Sequence, residues 1–163
     1  MDNVSASIAG RSVRALLQNI PSFTGLPEAQ LNHIARIAAL RQEPRNKTIV
    51  FAGAGTDSLF VIVRGSAKVL SRDVDGREVI LSMLGAGECF GEMGLIDDSP
   101  RSADVVTNEA CDLLVISKAD FTRALSENVD LCLNIMKSLV LRLREYLDGE
   151  LAERRRVAAA VPA

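Results

Sequence analysis

Residues 90–103 read FGEMGLIDDSPRSA, and the rest of the chain is best interpreted outward from this stretch. It lies between two apolar, strand-like stretches. Its glycines at 91 and 94 allow a backbone to turn tightly or to approach a ligand closely. The first glycine leads into a single helical turn, whose free N–H groups suit an anion. The stretch is therefore predicted to be a ligand-binding loop between strands.

Two charged side chains in this stretch indicate the chemistry of the ligand. Arg101 presents a fixed fork of N–H donors that matches a phosphate, and Ser102 adds a hydroxyl and an amide beside it. Glu92 is an acceptor for a sugar hydroxyl. A 3′,5′-cyclic nucleotide has this outline, because it carries one phosphate charge and a free ribose 2′-hydroxyl. The residues alone leave a second interpretation open, a surface ion pair between Glu92 and Arg101.

The composition is that of an ordinary globular domain. The chain has 163 residues, of which 48% are hydrophobic and 25% charged, and its formal net charge is −2. This length predicts one domain. The balanced charge argues against a chain-wide electrostatic grip on nucleic acid or on an anionic membrane. No apolar run approaches the ~20 residues that span a bilayer. The start Met1-Asp2-Asn3 lacks the basic and apolar pattern of a signal peptide.

The cysteine and histidine counts exclude several kinds of chemistry. Cys89, Cys111 and Cys132 are odd in number and too far apart for a disulfide framework or a CxxC metal site. A reducing, cytoplasmic location is therefore expected. His33 is the only histidine, which excludes a metal site built on several histidines, and no GxSxG motif accompanies it for a Ser-His-Asp triad. We therefore expect a protein that is not an enzyme and has no catalytic cofactor.

Hydrophobic periodicity divides the chain into three zones. Apolar residues at helical spacing predict N-terminal helices within residues 13–45. Short apolar stretches separated by glycine turns predict strands over residues 46–117. Two further helices are predicted over residues 118–155. The regular spacing of the short strands favours one mainly β domain over residues 1–163, a sandwich or barrel with flanking helices.

Three local signals refine this division. The Asp75-Gly76 pair predicts the turn of a β-hairpin, with a strand on either side. Ser117 is a suitable N-cap for the short helix that follows it. The long C-terminal helix contains Asp148-Gly149, and we expect this pair to kink or weaken it because glycine is a poor helix former.

The stretch at 90–103 resembles the phosphate-binding cassette of the cyclic-nucleotide-binding domain family. This family includes bacterial catabolite-activator-type regulators, regulatory subunits of protein kinase A and nucleotide-gated channels. The matching positions are Phe90-Gly91-Glu92, Leu95-Ile96 and Pro100-Arg101-Ser102-Ala103. The resemblance extends over about residues 13–147. It implies an eight-stranded β-roll, a double-stranded β-helix of jelly-roll type, with N-terminal helices and a long C-terminal helix.

The resemblance also implies a role for the cassette residues. Arg101 would clamp the cyclic phosphate, and Glu92 would hold the ribose 2′-hydroxyl. Further contacts around the phosphate and the ribose would come from Gly91, Met93, Ser102 and Ala103. The implied ligand is a cyclic nucleotide, with cAMP favoured over cGMP because of its frequency in the family. Cyclic di-GMP is an alternative ligand, because some members of the family depart from cAMP.

Residues outside the cassette would complete the pocket. Val69 and Leu81 would form its apolar wall beside the sugar and the base. On the long C-terminal helix, Arg142 and Tyr146 would form a lid over the base. Tyr146 is suited to stack on a purine, and it is equally suited to a dimer seam.

The expected function is that of a regulatory domain whose bound nucleotide repositions the C-terminal helix. Apolar residues from Met136 to Leu151 recur at three- and four-residue steps. This pattern suits a homodimer seam, a protein partner, or packing on the domain itself. The alternative is a truncated DNA-binding regulator of the same family, since Arg154-Arg155-Arg156 is a short basic run. The residues after Arg101 leave no room for a helix-turn-helix module, so we do not expect direct DNA binding. Because no apolar run is long enough to span a bilayer, we do not expect membrane association either.

Overall fold

A computed structural model describes residues 13–160, except for the side chain of Met93. Within this range the chain forms a β-roll of eight strands in two four-stranded sheets, with helices before and after it. The strands are β1 (Ala39–Glu43), β2 (Thr48–Val50), β3 (Ser58–Arg64), β4 (Ala67–Arg72), β5 (Glu78–Leu84), β6 (Cys89–Phe90), β7 (Asp104–Thr107) and β8 (Cys111–Ser117). The helices are α1 (Val13–Leu17), a 3-10 helix (Pro21–Phe23), α2 (Glu28–Ile37), α3 (Glu92–Asp97), α4 (Lys118–Glu127) and α5 (Val129–Ala160). The fold class expected from the sequence is confirmed; residues 1–12 and 161–163 of the predicted domain lie outside the described residues.

The two sheets enclose one core inside the roll. Their strand orders are β1-β8-β3-β6 and β2-β7-β4-β5, and every neighbouring pair is antiparallel. In β3, Phe60 and Ile62 face the interior of the roll, while Leu59 and Val61 face the helices outside it. Because both faces of β3 are buried, its sequence is apolar at consecutive positions instead of alternating.

A second core lies between the outer face of the β3 and β8 strands and the helices. Leu131 and Ile135, in the first turns of α5, are buried there beside Ile116 of β8. The Oγ of Ser117 accepts a hydrogen bond from the N–H of Asp120 at 3.2 Å, so the predicted N-cap of α4 is confirmed. These contacts fix the start of α5 against the β-roll.

The β4–β5 hairpin forms at the predicted Asp-Gly turn. Gly76 has a φ of +78°, which an L side chain rarely adopts. The Oδ1 of Asp73 accepts hydrogen bonds from the N–H groups of Asp75 and Arg77, each at 2.9 Å. The hairpin places β5 at the open edge of its sheet.

A β-bulge interrupts the pairing of β4 with β5. Val69 is opposite Ser82, whereas the next residue, Leu70, is opposite Ile80. Leu81 therefore lies between two paired positions and has no partner of its own on β4. A bulge of this kind re-aims the side chains around it, and this one lies beside the cavity described below.

The structure corrects two expectations about element boundaries. Residues 39–43 fall within the zone assigned to helices, yet they form β1 and pair along β8. The strand is hard to recognise because it is a largely exposed edge strand with the polar sequence ALRQE. Helix α5 was expected to end at about residue 155, yet it continues to Ala160, and Asp148-Gly149 does not end it. A single glycine costs a helix only about 1 kcal/mol, which the favourable helix formers around it offset.

Candidate functional site

A cavity of about 630 Å³ lies between the cassette, the end of β5 and the middle of α5. Its apolar lining includes Val50, Val69 and Val105. Four of the charged side chains in its lining are Glu92, Arg101, Arg142 and Glu145. Small-molecule sites typically have volumes of roughly 300–1,000 Å³ and combine apolar walls with a few placed polar groups. The cavity therefore has the size and composition of a ligand site.

Arg101 is a buried cation held by backbone carbonyls. Only 8% of the residue is exposed. Its Nη2 donates to the carbonyl oxygen of Ser58 at 2.6 Å, and its Nη1 donates to that of Gly91 at 3.0 Å. A carboxylate oxygen of Asp57, at 4.0 Å from Nη2, is the nearest counter-charge, but the Asp57 side chain is 88% exposed. Burial lowers the pKa of Arg101 from its usual value, yet a guanidinium remains protonated at neutral pH. The cavity thus contains a fixed positive charge that is only weakly compensated.

Gly91 is required by the placement of this guanidinium. Its φ of +92° lies in the left-handed region. A Cβ at this position would overlap with Nη1 of Arg101 and would lie 3.1 Å from the carbonyl oxygen of Ser58. Glycine at 91 therefore allows both the turn into α3 and the close approach of Arg101 to the cassette backbone.

Glu92, the first residue of α3, is a buried carboxylate shared between the cavity and helix α5. The residue is only 4% exposed. Its Oε1 forms an ion pair with Nη1 of Arg142, whose Nη2 donates to the carbonyl oxygen of Cys89 at 2.7 Å. Its Oε2 is buried and has no hydrogen-bond partner among residues 13–160. A buried acceptor without a donor is costly, so Oε2 is available to a donor on a bound ligand.

The structure brings most of the predicted site residues to this one cavity. The cassette contributes Gly91, Glu92, Arg101, Ser102 and Ala103 to its lining. Val69 of β4 and Arg142 of α5 also line it. Of Met93 only the backbone is described, within α3.

Two predicted residues lie outside the lining. Leu81, the residue without a partner at the β-bulge, is 57% exposed, whereas its neighbour Ser82 lines the cavity. Tyr146 is 64% exposed. Arg142 and Glu145, three residues apart on α5, face the cavity, and Tyr146 lies a further ~100° around the helix from Glu145.

Sequence reasoning missed several lining residues, including Ser82, Met83 and Glu145. The family resemblance instead predicted Leu81 and Tyr146, which are adjacent in sequence to Ser82 and Glu145. The register of β5 at the bulge and the rotation of α5 about its axis decide which neighbour faces inward. Neither quantity is encoded in a local motif, so no sequence signal was available for them.

The cavity also contains a cysteine. Cys89 lines the cavity, and burial raises the pKa of its thiol. All three cysteines are unpaired. Over residues 13–160, no group of three or more His, Cys, Asp and Glu side chains is placed to hold a metal ion.

None of the described helices is long and apolar enough to cross a membrane.

Comparison with known proteins assigns the fold and the cavity to a family. The family of the cyclic nucleotide-binding domain matches residues 40–128, which include β2 to α4, all of β1 except Ala39, and the whole cassette. The chain belongs to the cyclic nucleotide-binding domain family. All of the lining residues given for the cavity lie within the matched range except Arg142 and Glu145 of α5.

Curated relatives of the chain are bacterial transcriptional regulators. The chain is 36% identical over 106 residues to the cAMP-activated global transcriptional regulator CRP of Haemophilus influenzae, a match that covers 64% of this chain and 47% of the relative. It is 31% identical over 129 residues to the corresponding regulator of Pasteurella multocida, covering 78% and 60%. The chain thus spans about half the length of the curated relatives it matches.

Solved structures agree with the fold. The Thermus thermophilus catabolite activator protein superposes with a TM-score of 0.73 at 30% identity, over 82% of this chain and 63% of that chain. The cAMP-bound regulatory domain of Toxoplasma gondii PKA superposes with a TM-score of 0.63 at 24% identity, over 69% and 42%. The second likeness concerns the fold alone.

Proposed function

We propose that this chain is a sensor domain that binds a 3′,5′-cyclic purine nucleotide, with cAMP favoured over cGMP. One observation carries the proposal: a weakly compensated, buried Arg101 and an unpaired, buried Glu92 Oε2 line the same cavity. A cyclic phosphate needs the first group and a ribose 2′-hydroxyl the second. The cAMP-activated relatives support cAMP as the preferred ligand.

The other cassette residues take supporting roles in this proposal. Gly91, Ser102 and Ala103 bring backbone groups and one hydroxyl toward the phosphate and the ribose. The backbone of Met93 belongs to the same helical turn as Glu92. Val69 packs against the sugar and the base on the β4 side. The base then lies between β5 and the middle of α5, where Arg142 contributes to the lid. Leu81 and Tyr146 lie outside the lining, so the proposal assigns them no contact here.

Calorimetric titration of the ligand-free protein with cAMP, cGMP and cyclic di-GMP tests the proposal. We expect cAMP to bind with a micromolar or tighter Kd and to raise the melting temperature by mass action. The dinucleotide is expected not to bind, because it carries two phosphates whereas the cavity has one buried guanidinium free of a close carboxylate. Absence of binding by cAMP and cGMP alike would overturn the proposed function.

We further propose that bound nucleotide acts on helix α5 through Glu92. Its Oε1 is already paired with Arg142 of α5, while Oε2 is free for the ribose. The two oxygens belong to one carboxylate, so a hydroxyl bound at one of them changes the strength and geometry of the pair formed by the other. This coupling connects the ligand to the part of α5 that lies beyond the core between the helices and the sheet, since the buried residues of α5 are Leu131 and Ile135 in its first turns.

Arg142→Ala is expected to uncouple the helix from the ligand. In the wild-type protein, cAMP should alter amide hydrogen exchange of α5 over residues 136–151. In Arg142→Ala this ligand-dependent change should fall several-fold, because the link from Glu92 to the helix is gone. Arg144→Ala, an exposed arginine on the same helix, is the matched control and should behave like the wild type. An unchanged response in Arg142→Ala would contradict this route of signalling.

The partner of α5 is proposed to be a second copy of the chain or another protein. From Met136 onward α5 carries exposed apolar side chains at three- and four-residue steps, including Val140, Leu143, Leu147 and Leu151. A row with this spacing is typical of a helix–helix seam. Light scattering with and without cAMP distinguishes the two: a dimer mass supports self-association, and a monomer mass directs the search to another protein. The free cysteines of the chain are consistent with a reducing, cytoplasmic location, where this partner would then be found.

A further inference from the structure

The loop between β2 and β3 holds the backbone of Arg101 from outside the cassette. The N–H of Gly53 donates to the carbonyl oxygen of Arg101 at 2.8 Å, and the N–H of Arg101 donates to that of Ala54 at 2.9 Å. The carbonyl oxygen of Ser58, the first residue of β3 after this loop, accepts a hydrogen bond from Nη2 of Arg101. The backbone and the guanidinium of Arg101 are therefore both hydrogen-bonded to residues about 43–48 positions away in the sequence.

Thr56 connects this loop to the residues that lead into Arg101. Its Oγ1 donates a hydrogen bond to the carbonyl oxygen of Ser99 at 2.7 Å. The hydroxyl occupies the space that a side chain at position 94 would need: a Cβ on Gly94 would overlap with Oγ1 of Thr56 and would lie 2.9 Å from the Ser99 oxygen. Thr56 thus contacts both α3 and the segment 99–101, on the side of the cassette that faces the loop.

We propose that Thr56 is a positioning residue for Arg101, acting through the carbonyl group of Ser99. In the segment 99–101, Pro100 has no N–H to donate. The N–H of Ser99 donates to Oδ1 of Asp97 within the cassette at 3.0 Å. The carbonyl group of Ser99 and both backbone groups of Arg101 are instead bonded from the β2–β3 loop. The Thr56 hydroxyl supplies one of these bonds, two residues before Arg101. Without it the segment gains conformational freedom, and a phosphate ligand must restrict that freedom on binding. Only the consequence for ligand affinity rests on the proposed function; the effect on the backbone of Arg101 does not.

Thr56→Val and Thr56→Ser form a matched pair for the test. Valine has nearly the same shape as threonine but lacks the hydroxyl, whereas serine keeps it. In the ligand-free protein, Thr56→Val should increase the hydrogen-exchange rate of the Arg101 amide about fivefold, the loss expected for one hydrogen bond. Thr56→Ser should stay close to the wild type. Thr56→Ala, which also lacks the hydroxyl and is smaller beside Gly94, is the second variant if valine prevents folding, and it should show the same increase.

A double-mutant cycle then distinguishes positioning from a general structural role. Thr56→Val should weaken cAMP binding about fivefold in the wild-type background and have no further effect in the Arg101→Ala background, because its action passes through that guanidinium. Equal losses in both backgrounds, or an unchanged exchange rate of the Arg101 amide in Thr56→Val and Thr56→Ala, would overturn the inference. If the wild type binds neither cAMP nor cGMP, the proposed function fails, and the exchange rates still decide whether Thr56 positions Arg101.

Discussion

Arg101→Ala is expected to lower the affinity for cAMP about a hundredfold or more. The guanidinium is the buried cation of the cavity, and each hydrogen bond to a charged group contributes about 1.5–3 kcal/mol. Two such bonds to the cyclic phosphate correspond to at least two factors of ten in Kd. Titration calorimetry with cAMP measures the change directly.

Two controls separate binding from folding in this experiment. Arg101 also satisfies the carbonyl oxygens of Ser58 and Gly91, so its removal destabilises the fold by about 1–3 kcal/mol for each oxygen left without a donor. Urea unfolding measures this loss of stability. Titration at a temperature where the variant is fully folded prevents unfolding from lowering the measured affinity.

Arg77→Ala, which removes an exposed arginine outside the cavity lining, should leave the affinity unchanged. Arg101→Lys should bind weakly, because an ammonium group cannot reproduce the fork of donors. Near wild-type affinity in Arg101→Ala would refute the proposed phosphate site.

Gly91→Ala is expected to reduce the affinity for cAMP tenfold or more, although it adds only one methyl group. Alanine at this position meets two obstacles. The φ of +92° is unfavourable for an L residue by about 1–2 kcal/mol. The added methyl group also overlaps with Nη1 of Arg101, so the guanidinium must leave its place between Gly91 and Ser58. A displaced guanidinium no longer meets the cyclic phosphate in the geometry of the wild type.

Gly87→Ala is the matched control for this substitution. Gly87 has a φ of +89°, nearly the same as Gly91, but a Cβ there would meet no atom within 4 Å. Both variants carry the same backbone strain, and Gly91→Ala should lose more folding stability in urea, because the displaced guanidinium also leaves the carbonyl oxygens of Ser58 and Gly91. Only Gly91→Ala should lose affinity. Equal affinities for the two variants would mean that the position of Arg101 is not set by the space at residue 91.

The composition and motifs predicted much of the fold because their signals are short-range. The Asp75-Gly76 turn and the Ser117 cap depend on a few neighbouring residues, and both are found where they were expected. The strand β1 was missed because an exposed edge strand needs few apolar residues, and its pairing with β8 joins segments far apart in the chain.

The sequence by itself determined which chemical groups the cassette offers to a ligand. Glu92 and Arg101 have the functional groups that a ribose hydroxyl and a phosphate require, and side-chain chemistry is independent of the fold. What only the tertiary structure decided is which distant residues meet them. Arg142 reaches Glu92 across 50 positions of sequence, and Thr56 reaches Ser99 across 43, because the β-roll folds helix α5 and the β2–β3 loop against opposite parts of one short cassette. Contacts of this range follow from strand order and packing, which no local pattern encodes.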